Sequence, residues 1–245
     1  MRLFAIIEYD GTDFEGFQVQ ARKRTVQGEL EHALLQITGA KIRVIGAGRT
    51  DAGVHATGQG AHFDTTWNHP PWALQRALNA VLPDDIAIRS LVQVADSFSA
   101  RYSAFSRAYR YTIYNQTVRS PLTARYALVF PEPLEADAMD TAARYLVGKH
   151  DFGAFGTPPR GENTVREVYR AHATREGTRV VIEIEANAFL YRMVRRIVGT
   201  LLLVGRGGLT VEQFREVLAW QRRAGPSVPP QGLCLIEVKY EGLSR

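Results

Sequence analysis

The sequence predicts an α+β fold of two ferredoxin-like halves, each following the order β-α-β-β-α-β. Three observations carry that expectation. Short β-type runs alternate with helix-period runs through the first hundred residues in that order. The same order recurs, with additions, over the rest of the chain. A length of 245 residues also suits two small domains. No repeat is visible in the residues themselves, so the duplication is one of element order. The halves divide as 1–104 and 105–245.

In the first half, Leu3–Tyr9 is a β-type run that ends on the turn residues Asp10, Gly11 and Thr12. Thr25 is a helix N-cap, and Val26, Leu30, Leu34 and Ile37 follow at helical spacing until Gly39 stops the segment. Lys41–Ile45 reads as a strand, and so does Ala61–Thr65 beyond a glycine-rich stretch. Asn68 is placed to cap a second helix with Pro70 and Pro71 in its first turn and Leu74, Leu78 and Leu82 among its apolar positions. Ile86–Val94 closes the set as a strand. In the second half Tyr109–Tyr114 reads as a strand and Asp137–Val147 as a helix with Met139, Ala142, Ala143 and Leu146 on its apolar side. Val165–Thr174 and Arg179–Glu185 alternate and are joined by Arg175-Glu176-Gly177-Thr178, a hairpin signature. Helices then cover Phe189–Val204 and Val211–Arg222, the second capped by Thr210. Leu233–Tyr240 is the last strand.

Composition narrows the function classes. With 45% hydrophobic and 22% charged residues the chain is an ordinary folded globule, not a disordered one. A single cysteine, Cys234, excludes an internal disulfide framework and a multi-cysteine zinc site, and suits a reducing compartment. Glu8 and Asp10 interrupt the N-terminal run too early for a signal peptide, and the longest apolar run, near Ile197–Val204, is far short of a bilayer span. The expectation is a soluble, cytoplasmic protein. Thirty cations against 25 acids leave a net charge of +5, and all but four of those cations are arginine. Arginine offers a planar fork that holds phosphates and stacks on bases, although a biased genome or a hot habitat produces the same total. Placement has to decide.

The stretch Gly46–Gly58 superficially suggests a phosphate loop. It places Asp51 where the dinucleotide fingerprint needs glycine, opens no helix and lacks the P-loop Lys-Ser/Thr pair, so neither nucleotide motif is present. What it offers is Asp51 among small residues, with Arg49 just before it. Two readings stand side by side: a carboxylate at the floor of a cleft, or an ordinary turn between strands. His55, His62 and His69 share no helix face, which makes structural or solvent-exposed roles the better reading than a metal site. The window Ser97–Pro131 holds Arg101, Arg107, Arg110, Arg119 and Arg125 and no acid, with Phe98, Tyr102, Phe105, Tyr109, Tyr111 and Tyr114 interleaved. That is the composition of a nucleic-acid surface. In its strand, however, Tyr109, Tyr111 and Ile113 share one face, so some of the tyrosines belong to the core. A second acid-free stretch, Ala186–Val211, carries Arg195 beside a broad apolar helix face, where it either meets a carboxylate from elsewhere, Asp51 being a candidate, or snorkels to solvent.

Taken together, these segments resemble the tRNA pseudouridine synthase A family. The resemblance rests on Tyr9-Asp10-Gly11-Thr12-Asp13-Phe14-Glu15-Gly16-Phe17-Gln18, on Gly48–Ala56, on Arg107–Tyr111 and on Asn187–Arg196, in that order along the chain. It implies the pseudouridine synthase fold, with the two halves joined through a mainly antiparallel sheet and a central cleft. It implies isomerisation of uridine at tRNA positions 38, 39 and 40 in the anticodon arm, by a homodimer that uses neither cofactor nor metal and in which one tRNA touches both subunits. Residue by residue, it makes Asp51 the nucleophile, Arg195 the cation that pairs with it, Arg49 a group that helps displace the target base and Tyr109 the tyrosine on which the uracil stacks. Phe98, Ser99, Ala100, Arg101 and Tyr102 match a segment that touches tRNA.

The chemistry is consistent with those assignments. Moving the glycosidic bond from N1 to C5 of uracil gains and loses no atom overall, so no cofactor motif is required. The base must leave its stack to react. An ionised, close carboxylate suffices as covalent catalyst, and a neighbouring guanidinium favours its ionised form. The competing reading is a non-catalytic tRNA-binding protein or RNA chaperone with the same basic surface.

Overall fold

The computed structural model describes residues 1–158 and 161–242. The chain forms two compact units, Met1–Phe105 with the C-terminal strand from Cys234, and Ser106–Leu233. The last strand lies with the first unit. Its register shows why: Cys234 and Leu235 run parallel to His55 and Ala56, and Tyr240 packs on Phe4 and Ala100.

In the first unit the order is β1 (Arg2–Tyr9), α1 (Val26–Thr38), β2 (Ile45–Gly46), β3 (His55–Asp64), α2 (Pro71–Val81) and β4 (Ile86–Val94). β1 lies between β4 and β3, antiparallel to both, and β2 pairs with β3. The order β4-β1-β3-β2 is that of a ferredoxin-like unit. Thr25 caps α1 through its side chain, and Gly39 ends it at φ 71°. Leu3, Ala5, Ile7, Leu30, Leu34, Leu74, Leu78 and Ile88 are buried as its core.

Three expectations need correction here. Lys41–Val44 is not strand; only Ile45 and Gly46 pair. β3 begins at His55, because the small residues of 55–60 fit a strand whose neighbours press close. The N-cap of α2 is Pro70 with Pro71 at the first helical position, and Asn68 makes no cap.

The second unit contains β5 (Ala104–Tyr114), β6 (Leu128–Val129), α3 (Ala136–Arg144), β7 (Gly148–Asp151), β8 (Val165–Glu176), β9 (Arg179–Ala186), α4 (Met193–Gly205) and α5 (Val211–Leu218). β10 (Leu233–Tyr240) follows and is the returning strand of the first unit. β9 pairs antiparallel with both β5 and β8, and β7 edges β8. The β8–β9 hairpin turns on Gly177 at φ 61°. Thr210 caps α5 in a full capping box with Gln213. α4 starts four residues later than its apolar period suggests, because Arg192 sits in the left-handed region at φ 61° and Tyr191 bridges to Thr157. Tyr111 and Ile113 are fully buried, so their part of that β5 face is core, while Tyr109 on the same face is half-buried. No helix among the described residues is long and apolar enough to cross a membrane.

Candidate active site

Asp51 is half-buried, on a loop between β2 and β3. Within that loop the Val54 amide donates to the Asp51 carbonyl at 3.2 Å, closing a turn with Gly53 at φ 75°. The turn is braced by the segment that leaves β1. Phe17 N–H donates to Thr50 O at 3.1 Å, Gly53 N–H to Phe14 O at 3.2 Å, and the Tyr9 and Thr50 hydroxyls bond at 2.7 Å. Gly16 lies at φ 92° against the loop backbone, where a Cβ would stand 2.7 Å from Thr50 O. A Cβ on Gly11 would collide with Val54 O. Buried Gln59 donates to Gly48 O at 3.0 Å. The glycine-rich opening motif is therefore a cradle for the loop that carries the carboxylate.

His55 belongs to the same cradle. Its Nδ1 lies 3.0 Å from the Gly11 amide nitrogen and 3.2 Å from Asp10 Oδ1, which ties the loop to the turn that leaves β1. Arg49 is exposed next to Asp51.

The segment Phe98–Tyr102 sits between β4 and β5. Tyr102 is 81% exposed, and the Arg101 guanidinium lies 5.5 Å from its ring centroid. Phe98 packs inward, and Ala100 is wholly buried, so these two support the segment from below.

In the second unit Tyr109 is half-buried with its ring edge-on to Phe189 at 5.0 Å. Arg195 donates from Nε to Val228 O at 2.7 Å, while Val228 N–H donates to Arg195 O at 3.2 Å. Burial pushes the Tyr111 hydroxyl far above the usual phenol range, and the charge of Arg195 pulls it back. Arg110 is held by Glu183 at 2.7 Å, and Arg107 donates to Asn187 O at 2.9 Å. Among the described residues no group of three His, Cys, Asp or Glu is placed to hold a metal ion.

A profile of the family described as tRNA pseudouridine synthase matches residues 5–103 and 142–241. The chain belongs to that family. Relatives named tRNA pseudouridine synthase A align over nearly the whole chain. That of Brevibacillus brevis is 47% identical over 98% of this chain and 99% of its own length. That of Caldicellulosiruptor bescii is 44% identical, covering 96% and 97%. That of Chloroflexus aurantiacus is 48% identical, covering 98% and 89%. The pseudouridine synthase match contains Arg49, Asp51 and Phe98–Tyr102 in its first stretch and Arg195 in its second, while Tyr109 lies in the interval between them. Membership in the pseudouridine synthase family fixes the α+β fold class and leaves the reading as a binding-only protein unfavoured.

Sequence reasoning left Gln59 unnamed and gave no bracing role to Tyr9, Gly16, His62 and Tyr240, which support the pseudouridine synthase loops without facing outward. The glycines at 11 and 16 were the one signal available for them.

Proposed function

We propose that this tRNA pseudouridine synthase converts uridine to pseudouridine at positions 38, 39 and 40 of the anticodon arm, with Asp51 as its nucleophile. The observation that carries this reading is the bracing of the Asp51 turn by the Tyr9–Phe17 segment, which fixes the backbone that bears this half-buried carboxylate. In the reaction the N1–C1′ bond breaks, the uracil turns, C5–C1′ forms, and the C5 proton leaves to solvent while N1 gains one. A base inside a stem cannot reach a carboxylate, so it must flip out. Arg49 fills the space that it leaves, Tyr109 receives the uracil on its ring, and Arg195 favours the ionised carboxylate. Arg101 and Tyr102 contact the tRNA. The enzyme works in the cytoplasm as a homodimer, one tRNA touching both subunits, and needs no cofactor.

The test is Asp51→Asn, assayed by tritium release from tRNA labelled at uridine C5. Release should fall by about a thousandfold or more while tRNA affinity stays within about threefold. Survival of release in the variant would remove Asp51 from the chemistry. Absence of release from every tRNA with the wild type would remove the activity.

A further inference from the structure

We propose that His62, Tyr240 and Arg2 are positioning residues that hold the segment Asp96–Tyr102 ready for tRNA. The inference rests on the reading that Phe98–Tyr102 contacts tRNA. Ala100 is fully buried and pinned on both sides: its N–H donates to His62 Nδ1 at 3.1 Å, and its carbonyl accepts the Tyr240 hydroxyl at 2.8 Å. Two residues earlier, Arg2 Nη1 donates to Phe98 O at 2.8 Å and also reaches Asp96 O. The remaining edge of that guanidinium forms a two-point pair with Asp64 at 2.8 Å, which fixes its direction.

Side-chain packing repeats the arrangement. The Phe98 ring meets Phe4 at 5.1 Å, Tyr240 at 5.2 Å and His62 at 6.5 Å. Gly60 gives Tyr240 its passage, since any Cβ there would collide with the hydroxyl. Ser103 N–H closes the segment onto Ser99 O at 2.9 Å. What emerges above this support is Tyr102, with the half-buried Arg101 guanidinium 5.5 Å from its ring centroid. A segment already ordered loses less conformational freedom when RNA arrives, so the buried groups set affinity without touching substrate. Residues that served only the core would change the amount of folded protein and leave the substrate dependence of that protein alone.

The experiment compares KM and kcat for tRNA in full-length Tyr240→Phe, His62→Leu, His62→Asn and Arg101→Ala. Tyr240→Phe keeps the ring and deletes only the hydroxyl. His62→Asn keeps an acceptor close to the position of Nδ1. Loss of one such bond is expected to raise KM about fivefold in Tyr240→Phe and His62→Leu with kcat unchanged, and His62→Asn is expected to restore it. If His62→Leu fails to fold, Tyr240→Phe and His62→Asn decide. If Arg101→Ala raises KM and Tyr240→Phe does not, the positioning role is overturned while the tRNA contact stands. If Arg101→Ala leaves KM unchanged, the contact itself is wrong.

Discussion

Two neighbouring stretches of one acid-free window use their arginines differently. In Ser97–Tyr102 the backbone is bonded from beneath by Arg2, His62 and Tyr240, Tyr102 is exposed, and the half-buried Arg101 places its guanidinium beside the Tyr102 ring. In β5 the arginines are engaged by the neighbouring strand. Arg110 stands opposite Glu183 in the β5–β9 register, and Glu183 also meets Arg170 at 3.3 Å. Arg107 is bonded to Asn187 O, and Tyr111 is core. A window without acids along the chain is thus not without acids in space. A strand imports its counter-charges from its partner, whereas the loop is braced through its backbone carbonyls and amides.

The largest expected effect that sharpens this contrast comes from Gly60→Ala. The new methyl would meet the Tyr240 hydroxyl and, at 3.0 Å, the Phe4 ring. A loss of about 1–3 kcal/mol of stability is expected from such overpacking. Adding Tyr240→Phe should recover part of it, because the worst collision is with the hydroxyl. Denaturant midpoints of the two single variants and the double variant check this, and strictly additive losses would show that the hydroxyl is not what fills that space. The next effect addresses the contrast directly. Arg101→Ala should weaken tRNA binding and reduce the slope of log affinity against log salt by about one unit. Arg110→Ala should leave that slope nearly unchanged, since its cation already faces Glu183. Equal changes in both slopes would erase the distinction between loop and strand.

The sequence made some of this legible and concealed the rest for physical reasons. Thr25, Gly39 and Thr210 act as the caps that their residue types suggest, because capping is local chemistry. Asp51 stands out as a carboxylate among small residues for the same reason. The support beneath it does not, because Tyr9, Gly16 and Gln59 reach the loop across 34 to 41 residues or from the following strand, and no spacing rule links them. His62 and Tyr240 meet the same alanine from 38 and 140 residues away. The first looked like one of three scattered histidines, and the second like the end of a strand. The late start of α4 was hidden too, since the apolar period continues through Arg192 while its backbone does not.

The smallest effect reaches the loop side through pH. Burial, and then the charge of Arg2, lower the pKa of His62 below its ordinary 6.5, with Asp64 pulling it partly back. The unfolded chain therefore binds a proton at His62 more readily than the folded one. Stability should be complete above about pH 6.5 and decline as pH falls from there through the lowered folded value. Protonation at Nδ1 also removes the acceptor of the Ala100 amide, so the same change loosens the segment. Asp64 contributes in a separate window. The Arg2 hydrogen bond holds its pKa below 3.8, so its share of stability is present above that value and lost in stronger acid. Denaturant midpoints between about pH 7.5 and about pH 5.5 isolate the histidine. His62→Asn, which keeps an acceptor and cannot titrate, should flatten the decline. An undiminished decline in that variant would assign it to another group and leave His62 as a neutral acceptor throughout this range.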